Sequence, residues 1–232
     1  PIYFGGERMT VQHLDRVGDG QRPIVVSHSN GHLLNANSTM LAQAGVDADT
    51  DVEGVVKFAH GPLQGQPTGE LQEPAAMYLV LKKVGNAGLL APLSDAGLQA
   101  FGAICRLQGV TTATDLVNRL GEADLAVLRR CTDDDNFPVR VLPAFQAFHG
   151  THGAVAGAAH VRALLPSSTD RLRFGLVKMM LDGSIQGFSA RLRWPGYCNG
   201  AANGIWVTAP GQYEADFEVY HRAGLTIHSH TN

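Results

Sequence analysis

The chain has 232 residues, of which 44% are hydrophobic and 17% are charged, and its formal net charge is −3. These values are typical of a globular protein and exclude a strongly basic protein that binds nucleic acid or an anionic membrane surface. No apolar run is long enough to span a bilayer, no signal peptide is visible, and the three cysteines form no Cys-x-x-Cys pattern. We therefore predict a cytoplasmic protein with reduced, structural thiols and no nucleic-acid or membrane partner.

The two ends of the sequence predict that it is a piece of a longer polypeptide. It begins at Pro1 without a methionine and stops at Asn232, immediately after an apolar run that is typical of a strand. A domain rarely ends at a buried strand with nothing to cover it, because an uncovered sheet edge favours aggregation.

Residues 1–90 show no regular alternation of strands and helices. The predicted elements are short helices after Thr10 and over 39–44, strands over 23–28 and 52–59, and a helix over about 70–83 that Thr68 caps. The polar stretch 29–38 is rich in turn residues and is predicted to be a loop. We interpret residues 1–90 as a separate, mixed α+β subdomain.

From residue 94 onwards the pattern becomes regular. The predicted helices cover 94–107, 122–130, 154–165 and 212–222, and the predicted strands cover 109–115, 137–143, 173–184 and 225–230. Strands that alternate with helices are typical of a parallel sheet with crossover helices. A closed (β/α)8 barrel needs about 250 residues. We therefore predict an α/β fold in which residues 91–232 form about half of such a barrel.

Lys178 lies in the middle of the short apolar run 173–184, which ends in the turn signal Asp182-Gly-Ser184. A buried ammonium is costly unless it is paired or neutralised. One interpretation is a structural lysine that pairs with a carboxylate or extends its ammonium to the sheet edge. The other is a reactive or metal-associated lysine near the carboxyl end of a barrel strand, where active sites of such folds lie.

His228 and His230 follow each other at the end of the last predicted strand. In a strand both side chains would face the same side, whereas a turn at Ser229 would separate them. The pair resembles a metal-binding pair, but a single histidine at a strand end is more often a hydrogen-bonded structural residue.

Three other stretches hold polar side chains for which a structural interpretation is available. His32 lies in a glycine-containing loop, where it lines a pocket or simply solvates a turn. Asp182 caps the following loop in the structural interpretation. The aromatic loop 188–197, which includes Arg191 and Tyr197, is equally consistent with a lid and with a packed excursion of the chain.

Five stretches together carry a resemblance that runs nearly from end to end in a constant order. They are Ser29-Asn-Gly-His-Leu-Leu-Asn-Ala-Asn-Ser38, Thr68-Gly-Glu-Leu-Gln-Glu-Pro-Ala75, Gly109-Val-Thr-Thr112, Val177-Lys-Met-Met-Leu-Asp-Gly-Ser184 and Ile227-His-Ser-His-Thr-Asn232. In these stretches the sequence resembles the amidohydrolase superfamily and, within it, amidohydrolase family 3. That group includes N-substituted formamide deformylase-like proteins and exoenzyme regulatory protein-like hydrolases.

The resemblance implies a TIM-like (β/α)8 barrel with an inserted α+β subdomain, of which residues 91–232 hold strands two to five. It implies hydrolysis of an amide-like, non-peptide C–N bond by a hydroxide that bridges two divalent ions, which we expect to be zinc. Lys178, carboxylated by CO2, would bridge the ions, and His228 would bind one of them. The family's early His-x-His pair, its later histidine and its late aspartate have no counterpart in the sequence.

We therefore predict a metal-dependent amidohydrolase that acts on a small molecule, with Lys178 and His228 as its catalytic and metal-binding residues. The candidate substrate contacts are His32, Asp182, Arg191, Tyr197 and His230. The alternative is a non-catalytic regulatory or binding protein that kept the barrel and lost the metal site. The sequence leaves the oligomeric state open, including a homodimer.

Overall fold

The computed structural model describes residues 7–84, 92–147 and 153–232. The chain divides into two compact units. The first comprises Pro1–Leu90, Asp182–Val207 and Thr231–Asn232, and the second comprises Ala91–Leu181 and Thr208–His230. The sequence predicted one boundary near residue 90 and did not predict that Asp182–Val207 would belong with the first unit. No helix among the described residues is long and apolar enough to cross a membrane.

The first unit is built on a four-stranded antiparallel sheet with strand order β1-β2-β4-β3. Its elements are α1 (Val11–Asp15), β1 (Val25–Ser27), β2 (Leu33–Ala36), α2 (Ser38–Ala44), β3 (Val55–Lys57), β4 (Pro67–Gln72) and α3 (Glu73–Val84). Asn37 caps α2, since its side chain accepts a hydrogen bond from the backbone N–H of Met40 at 3.0 Å. The core combines Leu34 and Leu71 of the sheet with Val80 of α3.

Two strands of this sheet were missed by the sequence analysis. β2 lies inside the stretch 29–38 that was predicted to be a loop, and β4 contains Thr68, so the prediction that Thr68 caps a helix is wrong. Polar residues explain both errors. Asn35 and Glu70 are paired across β2 and β4 and both are buried. Their polar atoms are satisfied by side-chain hydrogen bonds, which sequence periodicity does not reveal.

The second unit is built on a four-stranded sheet in which every pair of neighbours is parallel, with strand order β5-β6-β7-β8. Its elements are α4 (Asp95–Leu107), β5 (Thr112–Asn118), α5 (Glu122–Asp133), β6 (Arg140–Gln146), α6 (Ala154–Leu164), β7 (Leu176–Met180), α7 (Pro210–Arg222) and β8 (Thr226–His230). This confirms the α/β class and the predicted parallel sheet. The complete TIM-like barrel stays a prediction.

One face of the parallel sheet is covered by the helices. Val141, Phe145, Val177 and Met179 of the strands share a core cluster with residues of α4 to α7. Side chains alternate along a strand, so the neighbouring residues point to the opposite face. This alternation assigns Lys178 to the face that the helices do not cover.

The apolar face of α4 is narrower than the sequence predicted. Leu98 and Cys105 are buried as expected, whereas Ile104 and Leu107 are 60% and 80% exposed. Gly102 allows α4 to approach Phe137 closely, because a Cβ added at Gly102 would lie 2.9 Å from the Phe137 ring. The helix therefore packs through Leu98, Gly102 and Cys105 rather than through its full apolar face.

Candidate functional site

The register of the parallel sheet places Lys178 opposite His228. In the pairing of β7 with β8, Lys178 is the partner of His228 and Met180 is the partner of His230. In the pairing of β6 with β7, Gln146 is the partner of Lys178. Paired residues of parallel strands point to the same face of the sheet. Gln146, Lys178 and His228 therefore form one row on the face that the helices leave free.

The Lys178 side chain is buried and its ammonium lacks a carboxylate partner within this unit. The residue is 6% exposed, and burial lowers the pKa of its amine below the usual value of 10.5. No salt bridge or side-chain hydrogen bond to it occurs within the described residues of the second unit. Every fully buried side-chain nitrogen of the described residues has a hydrogen-bond partner. The Lys178 nitrogen has no such partner among these residues, so it is not fully buried and keeps contact with solvent. Both interpretations of Lys178, the structural one and the metal-associated one, stay predictions.

His228 is exposed on the same row and is biased towards its neutral form. Its pKa lies below 6.5 because of burial first and then because of the positive charges of Lys178 and His230. β8 continues through His230, so the turn considered at Ser229 does not occur and both histidines face the same side. A neutral imidazole is the form that binds a metal ion, and the lowered pKa extends its pH range downwards.

Lys178 and His228 are the two candidate metal donors that the sequence analysis named in this unit. Among the described residues no group of three or more His, Cys, Asp or Glu side chains is arranged to hold an ion. An ammonium cannot ligate a metal, whereas a lysine carbamate offers two anionic oxygens. The pair therefore fits a metal as a partial ligand set of one carbamate and one imidazole.

The first unit contains a buried polar cluster around Glu73. Its carboxylate accepts hydrogen bonds from Nδ1 of His32 at 2.9 and 3.1 Å and from the hydroxyl of Ser189. Glu73 is 2% exposed and adopts a left-handed backbone conformation with φ of 63°. A glutamate in this conformation is strained and persists where its surroundings fix it. The cluster therefore holds the His32 ring in one orientation.

Asp182 organises the loop that follows β7. The residue is 1% exposed, and its two oxygens accept hydrogen bonds from the backbone N–H groups of Arg191 at 2.9 Å and Asn232 at 3.1 Å. The guanidinium of Arg191 lies over the ring of Trp206, 4.9 Å from its centroid. These contacts match the capping role that the structural interpretation gave to Asp182.

Tyr197 is also engaged in loop contacts. Its hydroxyl donates to the carbonyl of Ala190 at 2.9 Å, and its ring lies edge-on to Phe188 at 5.3 Å between centroids. Burial raises the pKa of Tyr197, and the negative charges of Asp182 and Glu73 add to this effect. The loop 188–197 is thus packed within its own unit.

The predicted residues therefore fall into two groups. Lys178, His228 and His230 share one sheet face of the second unit, whereas His32, Asp182, Arg191 and Tyr197 belong to the first unit. The roles assigned to all seven residues stay predictions.

The sequence analysis missed Gln146, Glu73 and Ser189. A signal existed for Glu73, because it lies in the stretch 68–75 that resembles a family motif. Gln146 ends a strand beside Lys178, and only the register reveals it. Ser189 lies in an irregular loop and has no signal in the sequence.

Comparison with known proteins supports the family resemblance. The model of the amidohydrolase family matches residues 2–232. No curated protein matches the chain. Two solved structures match, both uncharacterized metal-dependent hydrolases, from Pyrococcus horikoshii OT3 and Pyrococcus furiosus. Each is 18% identical to this chain and covers 97% of it, with TM-scores of 0.52 and 0.50.

The chain spans 42% and 43% of the length of these two structures. At this level of identity the likeness shows that the fold is shared, while the activity of this protein has to be argued from its own residues.

Proposed function

Because the chain belongs to the amidohydrolase family, we propose that it acts as a metal-dependent hydrolase on an amide-like, non-peptide C–N bond of a small molecule. The observation that carries this proposal is the pairing of Lys178 with His228 on neighbouring parallel strands. Two residues of the types that the family uses as ligands lie side by side on the face of the sheet that the helices leave free. Within the family we propose the N-substituted formamide deformylase-like group, on the motifs quoted above.

The buried environment of Lys178 favours its conversion into a ligand. The lowered pKa increases the fraction of neutral amine, which is the form that attacks CO2. The nitrogen forms a bond to the carbon of CO2 and releases one proton, which leaves an anionic carbamate with two oxygens. Contact with solvent gives CO2 access to the nitrogen. Carbamate formation would also remove a cation whose charged form is already disfavoured by burial.

The Lys178 carbamate and a ring nitrogen of His228 would hold the metal, and we propose two zinc ions because zinc accepts both oxygen and nitrogen ligands. When bound, a divalent metal polarises the substrate carbonyl and lowers the pKa of a water molecule. His228 remains neutral over a wider pH range than an ordinary histidine and so stays available as a ligand. Gln146 lies beside Lys178 and can donate an amide hydrogen bond to the carbamate.

The test is the metal content and activity of the full-length protein and of its Lys178→Ala variant. We expect the purified wild type to contain a divalent metal and to hydrolyse members of a panel of N-substituted amides. Lys178→Ala should lose both properties, and added short carboxylic acids should partly restore them by replacing the anion. Lys82→Ala is the matched control, because Lys82 is exposed on α3.

Two outcomes would contradict the proposal. If Lys178→Ala keeps its full metal content and rate, Lys178 is a structural cation. If the wild type binds no metal and hydrolyses no member of the panel, the protein is the non-catalytic alternative.

A further inference from the structure

The second unit contains a cavity of about 250 Å³ near the amino ends of β6 and β7. Lys178 lies beside the last residue of β6, Gln146, so the cavity is at the opposite end of the strands from the proposed metal ligand. Besides residues 141–142, the wall is entirely polar and contains three arginines, one carboxylate and one hydroxyl. These residues are Arg140, Arg171, Arg173, Asp170 and Thr169.

The backbone pairing of two segments brings the three arginines together. Val141 and Leu172 are paired in parallel, and both are buried in the core that the helices cover. Side chains alternate along an extended chain, so the flanking residues Arg140, Arg171 and Arg173 are assigned to the opposite face. From the strand spacing and the rise per residue, the Cα atoms of Arg140 and Arg173 are about 8 Å apart. Two side chains of this length can reach the same ligand atom group.

Two of the three guanidiniums have no counter-charge among the described residues. Arg171 donates to the carbonyl of Asp134 and to Oδ1 of Asp135, so its charge is balanced. Arg140 and Arg173 are exposed and form no salt bridge or side-chain hydrogen bond with any described residue. An anion between them would form charge-assisted hydrogen bonds and would remove the repulsion between two like charges.

The number of these groups favours a phosphate over a carboxylate. A guanidinium presents a planar fork of donors that matches two oxygens of either anion. A carboxylate has two oxygens and a single charge, which one guanidinium satisfies. A phosphate monoester has three terminal oxygens and a charge of about −1.5 to −2 at pH 7. This charge matches the two guanidiniums of Arg140 and Arg173.

The rest of the cavity limits the remainder of the ligand. Its volume lies just below the usual range of about 300–1,000 Å³, so a small molecule fits better than a nucleotide. The carboxylate of Asp170 disfavours a second anionic group and accepts hydrogen bonds from hydroxyl groups. The Thr169 hydroxyl accepts from the backbone N–H groups of Arg171 and Leu172 and can donate its own hydrogen to a ligand.

We propose that this cavity binds the phosphate monoester of a small hydroxylated molecule. The phosphate lies between Arg140 and Arg173, and a hydroxyl group of the ligand donates to Asp170. The site is separate from the proposed metal chemistry and does not rest on it.

The test is a calorimetric titration of the purified full-length protein at low ionic strength in a buffer without phosphate. The probes are glycerol 3-phosphate, glycerate, which is the hydroxylated carboxylate, and inorganic phosphate, which lacks the hydroxylated part. We expect glycerol 3-phosphate to bind about tenfold more tightly than glycerate, because it has more charge and one more terminal oxygen. It should bind several-fold more tightly than inorganic phosphate.

Arg140→Gln and Arg173→Gln test the two guanidiniums. Each variant should weaken the binding of glycerol 3-phosphate about ten- to a hundredfold, because it removes hydrogen bonds between charged groups. Arg106→Gln is the matched control, since Arg106 is exposed on α4 and does not line the cavity. It makes the same change in net charge and should keep the wild-type affinity.

Two further variants separate the explanations. Arg140→Lys keeps the charge and loses the planar fork, so its affinity should lie between those of the wild type and Arg140→Gln. Lys178→Ala should bind glycerol 3-phosphate as the wild type does. A loss of binding in Lys178→Ala would place the phosphate at the proposed metal centre and overturn the assignment to this cavity.

The proposal is also overturned if no phosphate probe binds, or if glycerate binds as tightly as glycerol 3-phosphate. Equal affinity for inorganic phosphate would contradict the hydroxylated ligand. Equal affinities of Arg140→Gln, Arg173→Gln and Arg106→Gln, or wild-type affinity in Arg140→Lys, would show that the overall charge attracts the anion and that the cavity does not bind it specifically.

Discussion

Lys178 of β7 and His228 of β8 are directly paired across two neighbouring parallel strands. The pairing fixes both side chains on one face of the sheet, where the pKa of each group is lowered, first of all by burial. The positive charge of Lys178 also lowers the pKa of His228. Without a carbamate the two groups oppose each other's protonation. A carbamate on Lys178 would be negatively charged and would raise the pKa of His228 instead. The pKa of His228 therefore indicates whether Lys178 is an amine or a carbamate.

Replacing Lys178 by methionine should stabilise the metal-free protein at pH 7. The pKa of Lys178 is lowered in the folded state, so the unfolded chain binds more protons between that pKa and 10.5. At pH values below the folded-state pKa of Lys178, the wild type therefore carries the full cost of burying a charged amine. It regains stability as the pH rises towards 10.5. Each unit by which the pKa is lowered corresponds to about 1.4 kcal/mol.

Thermal unfolding of both proteins in a chelator between pH 6 and 10 measures this difference. The advantage of Lys178→Met should shrink as the pH rises. An advantage that is constant over the range would mean that the Lys178 amine is not destabilised by burial.

The His228→Ala variant should lose far more metal than the His230→Ala variant. Both side chains face the same side of β8, but the register places His228 opposite Lys178 and His230 opposite Met180. Elemental analysis of the two full-length variants after identical purification gives the comparison. Equal losses would show that both histidines are ligands, and no loss from either would support the non-catalytic alternative.

The pKa of His228 should rise towards 6.5 in the metal-free Lys178→Met variant, because the positive charge of Lys178 is removed. It should stay below 6.5, since burial and His230 still act on the ring. For the same reason the metal-free wild type should lose stability as the pH falls below 6.5 through the folded pKa. An NMR titration of the His228 ring in both proteins measures the shift. A lower pKa in the variant than in the wild type would indicate that Lys178 is anionic in the wild type.

A methyl group at Gly183 should destabilise the first unit. A Cβ at this position would clash with Oε1 of Glu73 and would lie 2.6 Å from the carbonyl oxygen of Ser189. The Glu73 cluster is buried and hydrogen-bonded, so it cannot yield without losing its contacts. We expect Gly183→Ala to cost about 1–3 kcal/mol in the free energy of unfolding.

The matched control is Gly18→Ala, where an added Cβ meets no atom within 4 Å. It should stay within about 0.5 kcal/mol of the wild type. A Gly183→Ala variant as stable as this control would show that the Glu73 cluster is loosely packed.

Cys198 should be alkylated in the native protein before either of the other two cysteines. Cys198 is exposed, whereas Cys105 and Cys131 are buried. Burial raises the pKa of the Cys131 thiol, and the negative charge of Asp95 raises it further. Since the thiolate is the reactive form, Cys131 should react with iodoacetamide at pH 8 only after denaturation. Peptide mass spectrometry of native and denatured samples measures the order, and native labelling of Cys131 at the rate of Cys198 would contradict it.

The sequence alone determined the parallel sheet of the second unit and the family. Four apolar runs alternate with four helices between residues 94 and 230, and this alternation is sufficient to predict the parallel sheet. Short motifs in a constant order identified the amidohydrolase family, which the match over residues 2–232 confirms. Lys178 could be recognised as a candidate site residue from the sequence, because a charged residue in the middle of an apolar strand breaks the local pattern.

The tertiary structure decided what local pattern cannot encode. β2 and β4 contain the buried polar residues Asn35 and Glu70, whose partners Met9, His28 and Arg8 come from other parts of the chain. The left-handed backbone of Glu73 and its contact with His32 likewise join residues 41 positions apart. The pairing of Lys178 with His228 depends on strand register, which is set by the packing of whole elements. The sequence could therefore name candidate site residues, but only long-range packing could determine their neighbours and the direction in which their pKa values are shifted.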